Sequence, residues 1–186
     1  MLLVDTLLKK AMKKELDLFG AAKGVQKELS SIMSVLGLKK NTETGLFKNE
    51  IYAVKNFKKL ALMLMGAAAM KFKKELENEQ QVLMLCADLI IEAFVAESVL
   101  LATQKLVAKE GEEKVKSQIN MTKVFIFDAL DRNKASAKNL VYAIDSGKSK
   151  MIMMCVNKLL PDYEFNTKAA RKQIAEKLIG EGKYCF

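Results

Sequence analysis

Apolar residues recur at spacings of three and four along most of this chain, which is the period of an amphipathic α-helix. The pattern is clearest between residues 47 and 76, where Phe57, Ala61, Leu64, Ala68 and Phe72 share one side. Apolar and polar residues do not alternate between turn signals, so the sequence does not favour β-hairpins. The pattern predicts helices over residues 1–15, 21–35, 47–76, 80–108, 112–144, 149–160 and 167–179.

Residues that break helices are few, and most of them fall between the predicted helices. The chain has a single proline and nine glycines. Gly37 and Gly45 bound a polar stretch that is typical of a loop. The Asp-Ser-Gly sequence at 145–147 ends the helix predicted at 112–144. Asn166 and Thr167 offer an N-cap for the last helix. We therefore expect an all-α fold, an up-and-down bundle of three to four long antiparallel helices with shorter flanking helices.

The sequence shows no internal repeat and no linker, so its 186 residues are predicted to form one helical domain. Residues 1–40 would hold the short N-terminal helices, 46–145 the long-helix core and 148–186 the C-terminal helices. The eleven methionines are expected mainly to fill the core, although a pliable binding groove is the other interpretation. The methionines assigned to the core are Met63, Met65, Met84, Met151, Met153 and Met154.

Composition adds a basic character to this helical picture. The 31 basic and 22 acidic residues give a formal charge of +9, which attracts phosphates on nucleic acid, anionic lipid or a CoA-like ligand. The lysines are spread over several helices, as is typical of a solvated surface. Nucleic-acid binding is disfavoured because Arg132 and Arg171 are the only arginines and tryptophan is absent. Three cysteines without metal-ligand spacing favour a reducing, cytoplasmic setting.

Two acidic residues stand in the most apolar segment, QQVLMLCADLIIEAF at residues 81–95. Asp88 and Glu92 are one helical turn apart and share one side of the predicted helix. A metal site, a proton-transfer pair, a transmembrane relay and a buried ion pair are the alternatives. The sequence has no histidine, which removes imidazole-dependent metal sites and His-based nucleophile systems. We expect both acids to be structural and buried, each held by a salt bridge to a Lys or Arg of a neighbouring helix or by a hydrogen bond to a helix end. No residue is predicted to be catalytic, to bind a cofactor or to ligate a metal.

A second candidate feature lies at residues 16–38, where apolar side chains mix with Lys23 and Lys27. Such an amphipathic helix could lie on an anionic membrane surface. The favoured interpretation is an apolar face that docks on another protein domain. The residues assigned to this membrane or domain-docking face are Leu16, Phe19, Val25, Leu29, Ile32 and Leu36.

The helices around these acids resemble a known enzyme family. In acyl-CoA dehydrogenases, a helix of the C-terminal bundle reads approximately Gln-x-x-x-x-x-Leu-Ala-Asp-Met. Here Gln81 leads into Cys86, Ala87, Asp88 and Leu89. The stretch LENEQQVLMLCADLIIEAFVAESVLLATQKL is similar to the extra helical domain that follows the catalytic domains in very-long-chain-type members and their bacterial relatives. LLVDTLLKKAMKKELDLFGAAK resembles the joint before that extension, and IAEKLIGEGKYCF resembles its final helix and aromatic tail.

The resemblance implies a role for this chain within a longer flavoenzyme of fatty acid β-oxidation. The family's catalytic glutamate and its arginine-rich flavin-binding stretch have no match here, so FAD, the acyl-CoA and the base would belong to the rest of the parent enzyme. The chain would be a non-catalytic C-terminal module that packs on the catalytic domains and supports a homodimer or attachment to a membrane surface. The alternative is a free-standing basic bundle that binds an anionic membrane surface or nucleic acid.

Overall fold

The computed structural model describes residues 2–34, 43–145 and 147–183, and within that part it contains seven α-helices and no strand. The all-α prediction is confirmed. Most of the loop predicted at 37–45 lies outside the described residues. A short 3-10 helix, Lys73–Asn78, connects the third and fourth α-helices. The α-helices are Leu2–Met12 (α1), Leu18–Ser34 (α2), Lys48–Phe72 (α3), Gln80–Glu110 (α4), Lys116–Ile144 (α5), Ser149–Leu159 (α6) and Thr167–Glu181 (α7).

The helix ends follow from local chemistry. The Asp17 carboxylate accepts a hydrogen bond from the Gly20 backbone N–H at 2.9 Å, so α2 begins before Gly20, although the sequence pattern placed a break there. The Asn166 side chain accepts from the Ala169 N–H at 3.0 Å and caps α7 as predicted. α4 ends at Gly111, whose φ of 85° is a left-handed conformation that glycine adopts without a steric penalty.

Helices α3, α4 and α5 pack against one another and supply most of the core. Contacts between α4 and α5 join Thr103 to Thr122 and Glu92 to Arg132, so residue numbers fall along one helix as they rise along the other. The two helices are therefore antiparallel. Large side chains with relative exposure of 1% or less mark the centre of the core, and they include Phe57, Leu60, Leu64, Leu89, Ile126, Leu140 and Ile144.

The shorter helices cover the outside of this core. α2 packs on α3, α6 on α3 and α5, and α7 on α5. On the α7 side, Arg171 donates to both carboxylate oxygens of Asp128 at 2.8 and 2.7 Å. Phe127 contacts Tyr163 edge to face, with ring centroids 5.4 Å apart. These contacts hold α7 and the segment before it against α5.

Two buried polar contacts lie inside the bundle. The hydroxyls of Thr103 and Thr122 are 2.6 Å apart and join α4 to α5. Asn133 is fully buried, and its side-chain amide donates to the Ala129 carbonyl one turn earlier at 2.9 Å. That bond stays within α5, which continues without a break through this polar part of its sequence.

Candidate functional site

The two acids singled out in α4 lie in different surroundings. Asp88 is exposed, so the prediction that it is buried is wrong. Glu92 is half-buried and accepts two hydrogen bonds from Arg132 of α5, at 2.7 Å from Nε and 3.1 Å from Nη2. This is an ion pair to a basic residue of a neighbouring helix. The fork geometry raises the pKa of Arg132, chiefly through the hydrogen bond to Glu92.

Asp88 is exposed because α4 is covered by neighbouring helices on only part of its circumference. Six residues at successive spacings of three and four form one uncovered line, which we call the α4 stripe. Four of them are large apolar side chains with exposures of 49–70%. At 1.5 Å per residue, the line is about 26 Å long. The α4 stripe consists of Met84, Asp88, Ile91, Phe94, Ser98 and Leu101.

The polar members of the α4 stripe do little to interrupt its apolar character. The Ser98 hydroxyl donates to the Phe94 carbonyl at 2.8 Å, so its hydrogen bond is satisfied within the helix. Phe94 itself is 70% exposed, the most exposed aromatic side chain among the described large hydrophobic residues. The assignment of Met84 to the core is also wrong, since it is 57% exposed on this stripe.

The face predicted at residues 16–38 is divided. Leu16 and Phe19 are each 41% exposed and remain available to a partner. Val25 is buried, contrary to the predicted outward face, because α2 packs on α3 within the same bundle. The side chains of Leu29 and Ile32 and the whole of Leu36 lie outside the described residues.

The one deeply buried carboxyl group of the described chain was missed by the sequence analysis. Glu50 is 3% exposed, and burial raises its pKa above the ordinary value of 4.5. Burial also raises the pKa of Tyr163, and the charge of Glu50 raises it further. A signal was present in the sequence: Glu50 precedes Val54 and Phe57 at spacings of four and seven, on the stripe that faces the core.

Metal and thiol chemistry find little support in the described part of the chain. No group of three His, Cys, Asp or Glu side chains there is placed to hold a metal ion. Burial raises the pKa of the Cys86 thiol to about 12 and raises that of Cys155 as well. Both thiols are therefore protonated at neutral pH, and a protonated thiol is a poor nucleophile. Among the same residues, no helix combines the length and the apolar content that crossing a bilayer requires.

Comparison with known proteins decides between the interpretations of this bundle. Residues 56–158, more than half of the chain, match the family described as acyl-CoA dehydrogenase, C-terminal domain. The chain belongs to this family. The match includes α4, α5 and nearly all of α6, and it confirms the resemblance inferred from the segments around Asp88.

The relatives of this acyl-CoA dehydrogenase C-terminal domain are much longer proteins. A probable acyl-CoA dehydrogenase of Bacillus subtilis (strain 168) is 33% identical over 181 residues, which cover 97% of this chain and 30% of the relative. The crystal structure of an acyl-CoA dehydrogenase complexed with FAD from Bacillus anthracis matches with a TM-score of 0.90 and 31% identity. That match covers 100% of this chain and 31% of the other. The chain thus spans about a third of the length of the relatives it matches.

Proposed function

We propose that this chain is the helical module of a flavin-dependent acyl-CoA dehydrogenase that acts in fatty acid β-oxidation. The module carries out no reaction itself; FAD, the acyl-CoA and the catalytic base belong to the remainder of the enzyme. Its likeness to about a third of an enzyme complexed with FAD supports this division of roles. The α4 stripe is the observation that carries the proposal.

A large apolar surface on a central helix favours a docking role. Soluble proteins seldom expose contiguous apolar patches unless another surface covers them. Burial of one large apolar side chain contributes about 1.5–3 kcal/mol, so covering Ile91, Phe94 and Leu101 together would stabilise a complex by several kcal/mol. We propose that the catalytic part of the same enzyme covers the α4 stripe. Asp88 would then meet a hydrogen-bond donor or a cation of that part, since a carboxylate is not buried without a partner.

The ion pairs of the bundle support a structural role for its acids. Glu92 is held by Arg132 on α5, and Lys58 of α3 donates to Glu97 of α4 at 2.7 Å. Carboxylates that bridge helices in this way are positioned for architecture and not for proton transfer to a substrate. Cys86 and Cys155 are free cysteines, which is in keeping with a reducing, cytoplasmic setting. The homodimer and the contact with a membrane surface stay predictions.

A replacement experiment tests the proposal. In the Bacillus subtilis relative, the 181 aligned residues are exchanged for this chain. We expect this exchange enzyme to bind FAD and to oxidise acyl-CoA, because the module supplies architecture and the remainder supplies the chemistry. Separately, FAD is titrated into the chain alone. Tight binding of one FAD per isolated chain would contradict the proposal.

A further inference from the structure

A groove between α2, α3 and α6 lies outside the α4 stripe and outside the ion pairs described above. Its volume is about 460 Å³, within the range of about 300–1,000 Å³ that small-molecule pockets occupy. Residue pairs between α2 and α3, such as Glu28 with Lys59 and Ala22 beside Gly66, show that these two helices run antiparallel. α6 closes the groove on the third side.

The groove has an apolar interior rich in methionine. Met63 and Ile152 are half-buried, whereas Phe19, Met70 and Met151 are 41%, 57% and 44% exposed. Apolar side chains therefore extend from the mouth of the groove to its floor. Methionine is flexible and polarisable, so such a lining adapts to an irregular apolar ligand. The prediction that Met151 and Met154 fill the core is wrong, since α6 turns both toward the surface.

Positive charge surrounds this apolar interior. Lys23, Lys71 and Lys148, one from each wall, line the groove and are exposed, and no carboxylate lies among its described lining residues. Lys71 donates to the Asp145 carbonyl at 3.0 Å, which brings it close to the start of α6. Lys148 directly precedes α6. The partial positive charge of the α6 N-terminus adds to that of the two lysines at this end.

We propose that this groove binds one long-chain fatty acid, with its acyl chain along the methionine-lined interior and its carboxylate at Lys71 and Lys148. A neutral apolar ligand would make no ionic contact with the lysines, and an anion without an acyl chain would not fill the apolar interior. A bilayer surface would contact only the exposed rim and would leave the half-buried Met63 and Ile152 uncovered. A docked amphipathic helix, about 10 Å wide, would place only about one turn in this volume. The proposal concerns this chain alone and does not depend on how α4 is covered.

Equilibrium dialysis of hexadecanoate against the full chain, below the concentration at which the fatty acid forms micelles, tests the proposal. We expect saturable binding of one molecule per chain. Hexadecan-1-ol has the same chain without the charge, and hexanoate has the charge with a short chain. Hexanoate lacks ten methylene groups and should bind at least about tenfold more weakly. Hexadecan-1-ol loses only the ionic contacts with two exposed lysines and should bind about twofold to thirtyfold more weakly. Equal binding of hexadecan-1-ol, or no saturable binding of hexadecanoate, would overturn the proposal.

Two exposed methionines of α6 provide a matched pair of variants. Met151→Glu places a carboxylate in the groove and should weaken hexadecanoate binding by about tenfold or more through like-charge repulsion. Met154 is 53% exposed on the same helix but does not line the groove, so Met154→Glu should leave the affinity within about twofold. Thermal unfolding of both variants checks that they are folded. Equal loss of affinity in both variants would contradict the assignment. So would a chain that binds phosphatidylglycerol vesicles but shows no saturable binding of hexadecanoate.

Discussion

Replacing Gly66 by alanine adds one methyl group where α3 supports α2. An ideal Cβ on Gly66 would lie 2.7 Å from the Cβ of Ala22, whereas carbon atoms in van der Waals contact are about 3.5–4.0 Å apart. Both Cβ atoms are fixed to helical backbone, so no change of rotamer can relieve the contact. α2 would therefore have to move away from α3 by about 1 Å.

Two opposing effects determine how Gly66→Ala changes the free energy of unfolding. Alanine in a helix interior is about 1 kcal/mol more favourable than glycine, while overpacking a tight contact costs about 1–3 kcal/mol. For Gly66→Ala we expect a net loss of up to about 2 kcal/mol in the free energy of unfolding. Gly24 of α2 is the matched control, because its added Cβ would meet nothing within 4 Å. Gly24→Ala should stabilise the chain by about 0.5–1 kcal/mol.

Urea unfolding followed by far-UV circular dichroism measures both free energies on the full chain. The difference between Gly66→Ala and Gly24→Ala isolates the steric effect, since both substitutions replace a helical glycine by alanine. We expect Gly24→Ala to be the more stable variant by about 1–3 kcal/mol. If Gly66→Ala stabilises the chain as much as Gly24→Ala does, α2 is not seated on α3 at this position.

Three further predictions concern buried or capping groups. Because burial raises the pKa of Glu50, folded protein binds its proton more tightly, and stability falls as pH rises above 4.5 through the folded pKa. Glu50→Gln should reduce that fall in urea titrations between about pH 4 and pH 8. Thr103→Val should lower the free energy of unfolding by about 1–2 kcal/mol, because it leaves the buried Thr122 hydroxyl without its partner. In a double-mutant cycle, Thr122→Val should then cost less in the Thr103→Val protein than in the wild type. Asn166→Ala removes the α7 cap and should lower stability by about 1 kcal/mol in the same urea assay.

The helices could be predicted because their limits depend on neighbouring residues in the sequence. Gly111 ends α4 and Asn166 begins α7, each through the conformation or the hydrogen bond that its own residue type favours. Amphipathic spacing of residues such as Phe57 and Leu64 likewise placed the core side of α3 correctly. These features are local, so one sequence suffices to find them.

The exposure of α4 could not be predicted in the same way. Its apolar residues surround the helix, and the sequence alone does not tell which side the neighbouring helices cover. Asp88 was therefore expected inside, although it lies on the α4 stripe together with Phe94. Glu50 was missed for a different reason. A single acid in an amphipathic helix is normally exposed, and only its position on the core-facing stripe indicates that it is buried. Burial in this chain depends on tertiary packing more than on local composition.

The central claim is that the α4 stripe is a docking surface for the rest of an acyl-CoA dehydrogenase. Its most direct test compares Phe94→Glu in the isolated chain with Phe94→Glu in the exchange enzyme, by thermal unfolding and by retained FAD. Ile179→Glu, at a position 79% exposed on α7, is the control in both. We predict that Phe94→Glu changes the stability of the isolated chain by no more than about 0.5 kcal/mol but destabilises the exchange enzyme by about 2 kcal/mol or more, whereas Ile179→Glu alters neither. An exchange enzyme that tolerates Phe94→Glu as well as it tolerates Ile179→Glu would contradict the claim.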